Sequence, residues 1–124
     1  MPADTGDARV VKVSHLPDTE RILHIQKQPG ILAVLAFYEG FPVSSTGNGD
    51  FEQIAAVAED FLRSGKKTAR DLKMGTLGQI TLEAGEKKCI IVPYGDLFLC
   101  MVTRADVNLG LIRLAVRTLQ AGER

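Results

Sequence analysis

The side chains able to do chemistry in this chain are few, and the first pair is Cys89 and Cys100, within "KKCIIVPYGDLFLCMV". If Gly95-Asp96 closes a two-residue hairpin, Tyr94 faces Leu97 and Ile91 faces Cys100. Cys89 then shares a sheet face with Cys100 but lies diagonal to it, at about 7–8 Å. A disulfide needs Cβ atoms at about 3.5–4.5 Å, so this register argues against one. Both neighbourhoods are aliphatic, which raises a thiol pKa and makes the group inert. The expectation is apolar filling rather than a reactive pair.

Other chemistry fares no better. A zinc site needs convergent ligands, yet His15 and His24 stand apart, with nothing clustered beside them. "SGKKT", Ser64–Thr68, is like the end of a phosphate loop, but such a loop lies between a strand and a helix N-terminus. Here Gly65 falls inside a helical pattern, and Lys67 stands where Ser or Thr should. "STGNG", Ser45–Gly49, could cradle an anion ahead of a helix, but reads more simply as a connecting loop. No Ser-His-Asp set can be assembled, and no apolar pocket is evident to tune a carboxylate. No catalytic, metal or cofactor-binding residue is therefore assigned, which argues for a binding protein.

At 124 residues the chain is the size of one domain. Its 45% hydrophobic and 24% charged content suits an ordinary globular core. Fifteen basic residues balance fifteen acidic ones, so overall charge gives no case for nucleic acid or an anionic membrane. No stretch has the pattern of a signal peptide or a membrane span. Two cysteines without a secretory signal point to a reducing compartment, and the cytoplasm is the expected location.

The elements follow from periodicity. Residues 1–16 read as a flexible tail, although Val10, Val11 and Val13 could add an edge strand. Asp18–Gln28 fits a short helix that ends at Pro29-Gly30. Ile31–Tyr38 reads as a strand covered on both faces. Glu39-Gly40 turns the chain into Phe41–Ser45, which Pro42 confines to a sheet edge. Asp50 caps a long helix, Phe51–Leu72, with Gln53 completing a capping-box pattern. Three strand-like runs follow: Thr76–Glu83, Lys88–Tyr94 and Leu97–Thr103. A last helix runs from Asp106 or Asn108 to Gln120. The expected organisation is one domain over 17–121, with residues 122–124 as a short tail.

Two features suggest a surface for association. Ala55, Ala58, Gly65 and Ala69 on the long helix would let another backbone approach closely. Gly costs about 1 kcal/mol against Ala within a helix, so Gly65 should answer a packing need, either to its own sheet or to a second helix across a dimer. The alternating "TLGQITLE" could also pair edge to edge with a copy of itself.

The order of elements, together with "QKQPGILAVLAFYEGFPVSSTG" and "YGDLFLCMVTRADVNLGLIRLAV", resembles the roadblock / dynein light chain family over about Asp18 to Leu119. The resemblance implies an α/β fold of the α+β type, ordered α-β-β-α-β-β-β-α. A five-stranded antiparallel sheet would lie between the long helix on one face and the terminal helices on the other. It further implies a homodimer joined through the central strands and long helices, and a non-catalytic regulator or scaffold for Ras-like small GTPases.

On that basis the dimer interface is expected at Ala58, Phe61, Leu62, Gly65, Ala69, Leu77, Gln79 and Thr81. The partner surface is expected on the outward side of the long helix, at Glu52, Glu59, Arg63, Lys66, Lys67 and Arg70. The leading expectation is a homodimeric regulator of a Ras-like small GTPase. A structural adaptor within a larger assembly and a small-ligand sensor or enzyme are the alternatives.

Overall fold

The computed structural model describes residues 19–121. The expected N-terminal tail, with Val10, Val11, Val13 and His15, and the tail at 122–124 lie outside the described residues. The elements run α1 (Thr19–Gln26), β1 (Ile31–Tyr38), β2 (Phe41–Gly47), α2 (Phe51–Asp71), β3 (Ile80–Glu83), β4 (Lys87–Tyr94), β5 (Leu97–Arg104) and α3 (Leu109–Ala121). The five strands form one sheet in the order β2-β1-β5-β4-β3, and every adjacent pair is antiparallel.

Local chemistry explains most boundaries. After α1, Gly30 takes φ +91°, a left-handed conformation that glycine adopts without the Cβ clash. Asp50 caps α2, its Oδ1 accepting the Gln53 backbone N–H at 3.2 Å. Asn108 does the same for α3, accepting from the Leu111 N–H at 3.2 Å. Pro42 lies on edge strand β2, where its missing N–H costs no ladder bond to a further strand. β2 continues to Gly47, two residues past the expected Ser45, which shortens the loop before α2.

Two apolar layers sandwich the sheet. On one face Ile22 and Ile25 of α1 and Ile112, Ala115, Val116 and Leu119 of α3 pack on Val34, Ile90, Leu99 and Met101. On the other, Ala55, Ala58 and Leu62 of α2 pack on Leu35, Phe37, Ile91 and Cys100. Alternation along β1 explains this division, because successive side chains point to opposite faces and both are covered.

The expected strand over Thr76–Glu83 is half as long as its pattern suggested, beginning only at Ile80. Its pairing with β4 stops at Ile80↔Ile91. Continuing it would set Gly78 opposite Pro93, which has no N–H to donate. The Pro93 carbonyl is already occupied, accepting from Gln120 Nε2 of α3 at 2.7 Å. With neither backbone group free, the chain before Ile80 leaves the sheet.

Candidate interaction face

The helix α2 carries three kinds of surface. Its buried residues, Ala55, Ala58, Leu62, Gly65 and Ala69, face the chain's own core. Gly65 answers the packing question directly: a Cβ there would lie 2.5 Å from Ile80 Cδ1 and 3.5 Å from Leu77 Cδ2 of the same chain. The close approach that glycine permits is therefore to the β3 segment. Leu62, Gly65 and Ala69, expected at a dimer interface, have their surface buried within the protomer. Replacing Gly65 with Leu should destabilise the fold by at least about 1–3 kcal/mol through overpacking. Urea unfolding of the variant checks this, and unchanged stability with weakened association would return Gly65 to an interface.

The flank of α2 nearest β3 and β4 is apolar and open. Val57 is 60% exposed and Leu82 of β3 is 54% exposed, while Ile54 and Phe61 are half-buried. Together with Ala58, Val102, Cys89 and Cys100 they line a groove of about 510 Å³, with Gln53, Asp60 and Ser64 as its polar groups. At the outer edge of this groove β3 has a strand neighbour on one side only among the described residues. An open edge and a contiguous apolar surface therefore adjoin each other.

The expected interface residues are only partly brought together here. Ala58 and Phe61 line the groove, and Leu77 packs under α2. Gln79 and Thr81 belong to the opposite face of the sheet. Thr81 pairs with Ile90 of the α3-side core, and Gln79 lines a cleft with Arg113, Arg117 and Gln120. Alternation accounts for this split, since Ile80 and Leu82 face α2 and Gln79 and Thr81 the other side, while Leu77, lying before the strand begins, escapes that parity and packs under α2. Val57 and Leu82 were missed. Their signal was a valine one helical turn from both Ile54 and Phe61, and a leucine of the same strand parity as Ile80.

The charged flank of α2 lies on the other side of the helix. Glu59 pairs with Arg63 at 3.3 Å, and its side chain is largely covered. Lys67 pairs with Asp71, and Arg70 reaches the same carboxylate at 3.7 Å. Lys66 Nζ sits 4.8 Å above the Phe98 ring. Glu52, Arg63, Lys66, Lys67 and Arg70 are exposed, as expected for an outward surface, whereas Glu59 is half-buried rather than outward-facing. Exposed pairs of this kind contribute at most about 1 kcal/mol each, so a partner's carboxylates can exchange with them at little cost.

The cysteine register is the expected one, with Cys89 opposite Val102 and Cys100 opposite Ile91. Both thiols are free. The side chains nevertheless lean together, bringing the sulfurs to 3.6 Å. The hydrogen bond to Cys89, together with burial, pushes Cys100 far up, in line with the aliphatic surroundings. Cys89 departs from that expectation: the hydrogen bond from Cys100 stabilises its thiolate and outweighs burial, lowering its pKa. Iodoacetamide at neutral pH should therefore alkylate Cys89 of the native chain well before Cys100, as peptide mass mapping would show. Equal rates, or Cys100 first, would contradict this order.

Among the described residues no group of three or more His, Cys, Asp or Glu side chains could hold a metal ion. "SGKKT" is helical throughout, inside α2. No described helix is long and apolar enough to cross a membrane.

The family model for the Roadblock/LC7 domain matches residues 18–103. The chain belongs to the Roadblock/LC7 family. Relatives of this Roadblock chain include the uncharacterized proteins MJ0310 and MJ1340 of Methanocaldococcus jannaschii, each 32% identical over 77% of this chain and 87% of theirs. Among solved structures, a Roadblock/LC7 domain from Streptomyces avermitilis superposes with a TM-score of 0.78 at 12% identity, covering 86% of this chain and 94% of that one. Myxococcus xanthus MglB gives 0.71 at 17% identity, covering 79% and 84%. At such identities the likeness is one of fold, and the element order and helix–sheet–helix layering are those of the Roadblock fold.

Proposed function

We propose that this Roadblock chain is a non-catalytic module that pairs with a copy of itself, and that the pair binds a Ras-like small GTPase and modulates its nucleotide cycle. The observation that carries the reading is the unspent apolar surface of Val57, Phe61 and Leu82 beside the open edge of β3. A second copy related by a two-fold axis would cover both at once, because such an interface is self-complementary. Its β3 would add to this β3, and its α2 flank would close the groove. Burying each large apolar side chain contributes about 1.5–3 kcal/mol.

The charged flank of α2 stays outside that seam and is the surface proposed for the GTPase. The pair would act by favouring one conformation of the GTPase switch segments, which positions the GTPase's own catalytic groups. Family membership supports a non-catalytic role. The test is to mix the chain with a Ras-like GTPase from the same genome, loaded with GTP or GDP. The reading expects a complex that prefers one nucleotide state and a changed rate of GTP turnover. A complex indifferent to nucleotide, with turnover unchanged, would replace regulation with an adaptor role, and no complex at all would overturn the GTPase assignment.

A further inference from the structure

The structure assigns the cleft between α3 and the start of β3 as a binding site for a small phosphomonoester, a phosphate dianion carried on a compact organic group. The cleft follows from the late start of β3. The chain at Gly78 and Gln79 runs clear of the sheet, and a space remains between it, Val92 of β4 and α3. Its volume is about 420 Å³, within the range of about 300–1,000 Å³ common for small-molecule sites. It lies on the α3 face of the sheet, whereas the apolar groove proposed for pairing lies on the α2 face.

The decisive pair is Arg113 and Arg117, which both line the cleft. They stand one turn apart on α3, a spacing that makes side chains neighbours, with Cβ atoms about 5–6 Å apart. Every other described arginine has a partner in the chain. Arg21 donates to Tyr94 Oη, and Arg63, Arg70 and Arg104 reach Glu59, Asp71 and Asp106. Arg113 and Arg117 have no such partner among the described residues. α3 contains no Asp or Glu, and no acidic side chain lines the cleft. Two adjacent positive charges without a counter-charge match a dianion.

The neighbouring groups favour phosphate. Planar guanidinium forks suit its oxygens, and two forks can share them, whereas one carboxylate is satisfied by a single fork. Gln79 Nε2 donates to Thr81 Oγ1 at 3.2 Å, and Gln120 Nε2 donates to the Pro93 carbonyl at 2.7 Å. Each amide nitrogen keeps a second N–H, a further donor for a phosphate oxygen. Val92 and Val116 supply apolar wall, which inorganic phosphate leaves unused and an organic phosphate covers.

The test is a nuclear magnetic resonance titration of the full, nitrogen-labelled chain with phenyl phosphate at neutral pH. The side-chain N–H signals of Arg113, Arg117, Gln79 and Gln120 should shift together and saturate. Inorganic phosphate and benzoate should each bind at least about 10-fold more weakly. Both arginines are exposed, and Gln matches Arg closely in helix propensity, so Arg113→Gln and Arg117→Gln should keep the fold, as the backbone spectrum shows. Each should weaken binding at least about 10-fold. Shifts that never saturate would overturn the site. So would equal shifts at Arg63 and Arg70 of α2, or full affinity in the doubly substituted chain. A phosphoserine peptide that binds at least about 10-fold tighter than phenyl phosphate would assign the phosphate to a modified protein and overturn the small-molecule class. The signals report the cleft itself, so this result and the fate of the proposed pairing are separate.

Discussion

Replacing Val57 with Asp should dissociate the pair while leaving the protomer folded. In the isolated chain Val57 is mostly exposed, so the change removes little of the core. Valine and aspartate also have similar, modest helix propensities, so thermal stability of the protomer should move by less than about 0.7 kcal/mol. In the proposed seam the same side chain is covered. A carboxylate buried there without a partner loses hydration that nothing replaces, a cost of several kcal/mol. Two-fold symmetry applies the change twice. The dissociation constant should rise at least about 100-fold, or about 2.8 kcal/mol. Leu82→Asp, on the strand side of the groove, should act in the same direction. Concentration-dependent light scattering reads both, and a variant that pairs as tightly as wild type would place the seam elsewhere.

Reversing charge on the other flank of α2 should do the opposite. Arg63→Glu combined with Lys67→Glu breaks two weak intrahelical pairs and leaves the apolar groove untouched. Pairing should be unchanged. Binding of the GTPase should weaken about 10–100-fold, or about 1.4–2.8 kcal/mol, with steeper loss at low salt where these charges are least screened. Titration calorimetry or surface binding against the GTP-loaded partner gives the number. Undiminished affinity would mean that the flank is a solvated face. The two substitutions together separate association from partner recognition, because each should affect one and spare the other.

Much of the architecture could be read from residues whose demands are local. The Asp50 cap, the Pro29-Gly30 stop, the edge position of Pro42 and the two-residue turn at Gly95-Asp96 all act within a few residues of themselves. The features that escaped depend on distant neighbours. β3 begins late because Pro93 lacks an N–H and Gln120, from the last helix, occupies its carbonyl. Gln79 and Thr81 lie on the α3 side because they alternate with Ile80 and Leu82, and the delay frees Leu77, which would otherwise share their face, to pack under α2.

Gly65 illustrates the same limit. A helical glycine marks a close approach but not by what, and the neighbour is Ile80 of the same chain. Val57 is not legible from one apolar stripe because α2 carries two, one packed on its own sheet and one left open. The diagonal placement of the cysteines followed from the hairpin, but the lean of their side chains to a 3.6 Å sulfur contact did not.

The functional account depends first on whether the open groove and the edge of β3 are closed by a second copy. Sedimentation equilibrium of the reduced full chain at micromolar concentration measures this directly. The expected result is a single species of twice the 13.5 kDa chain mass. A stable monomer at that concentration would contradict the account.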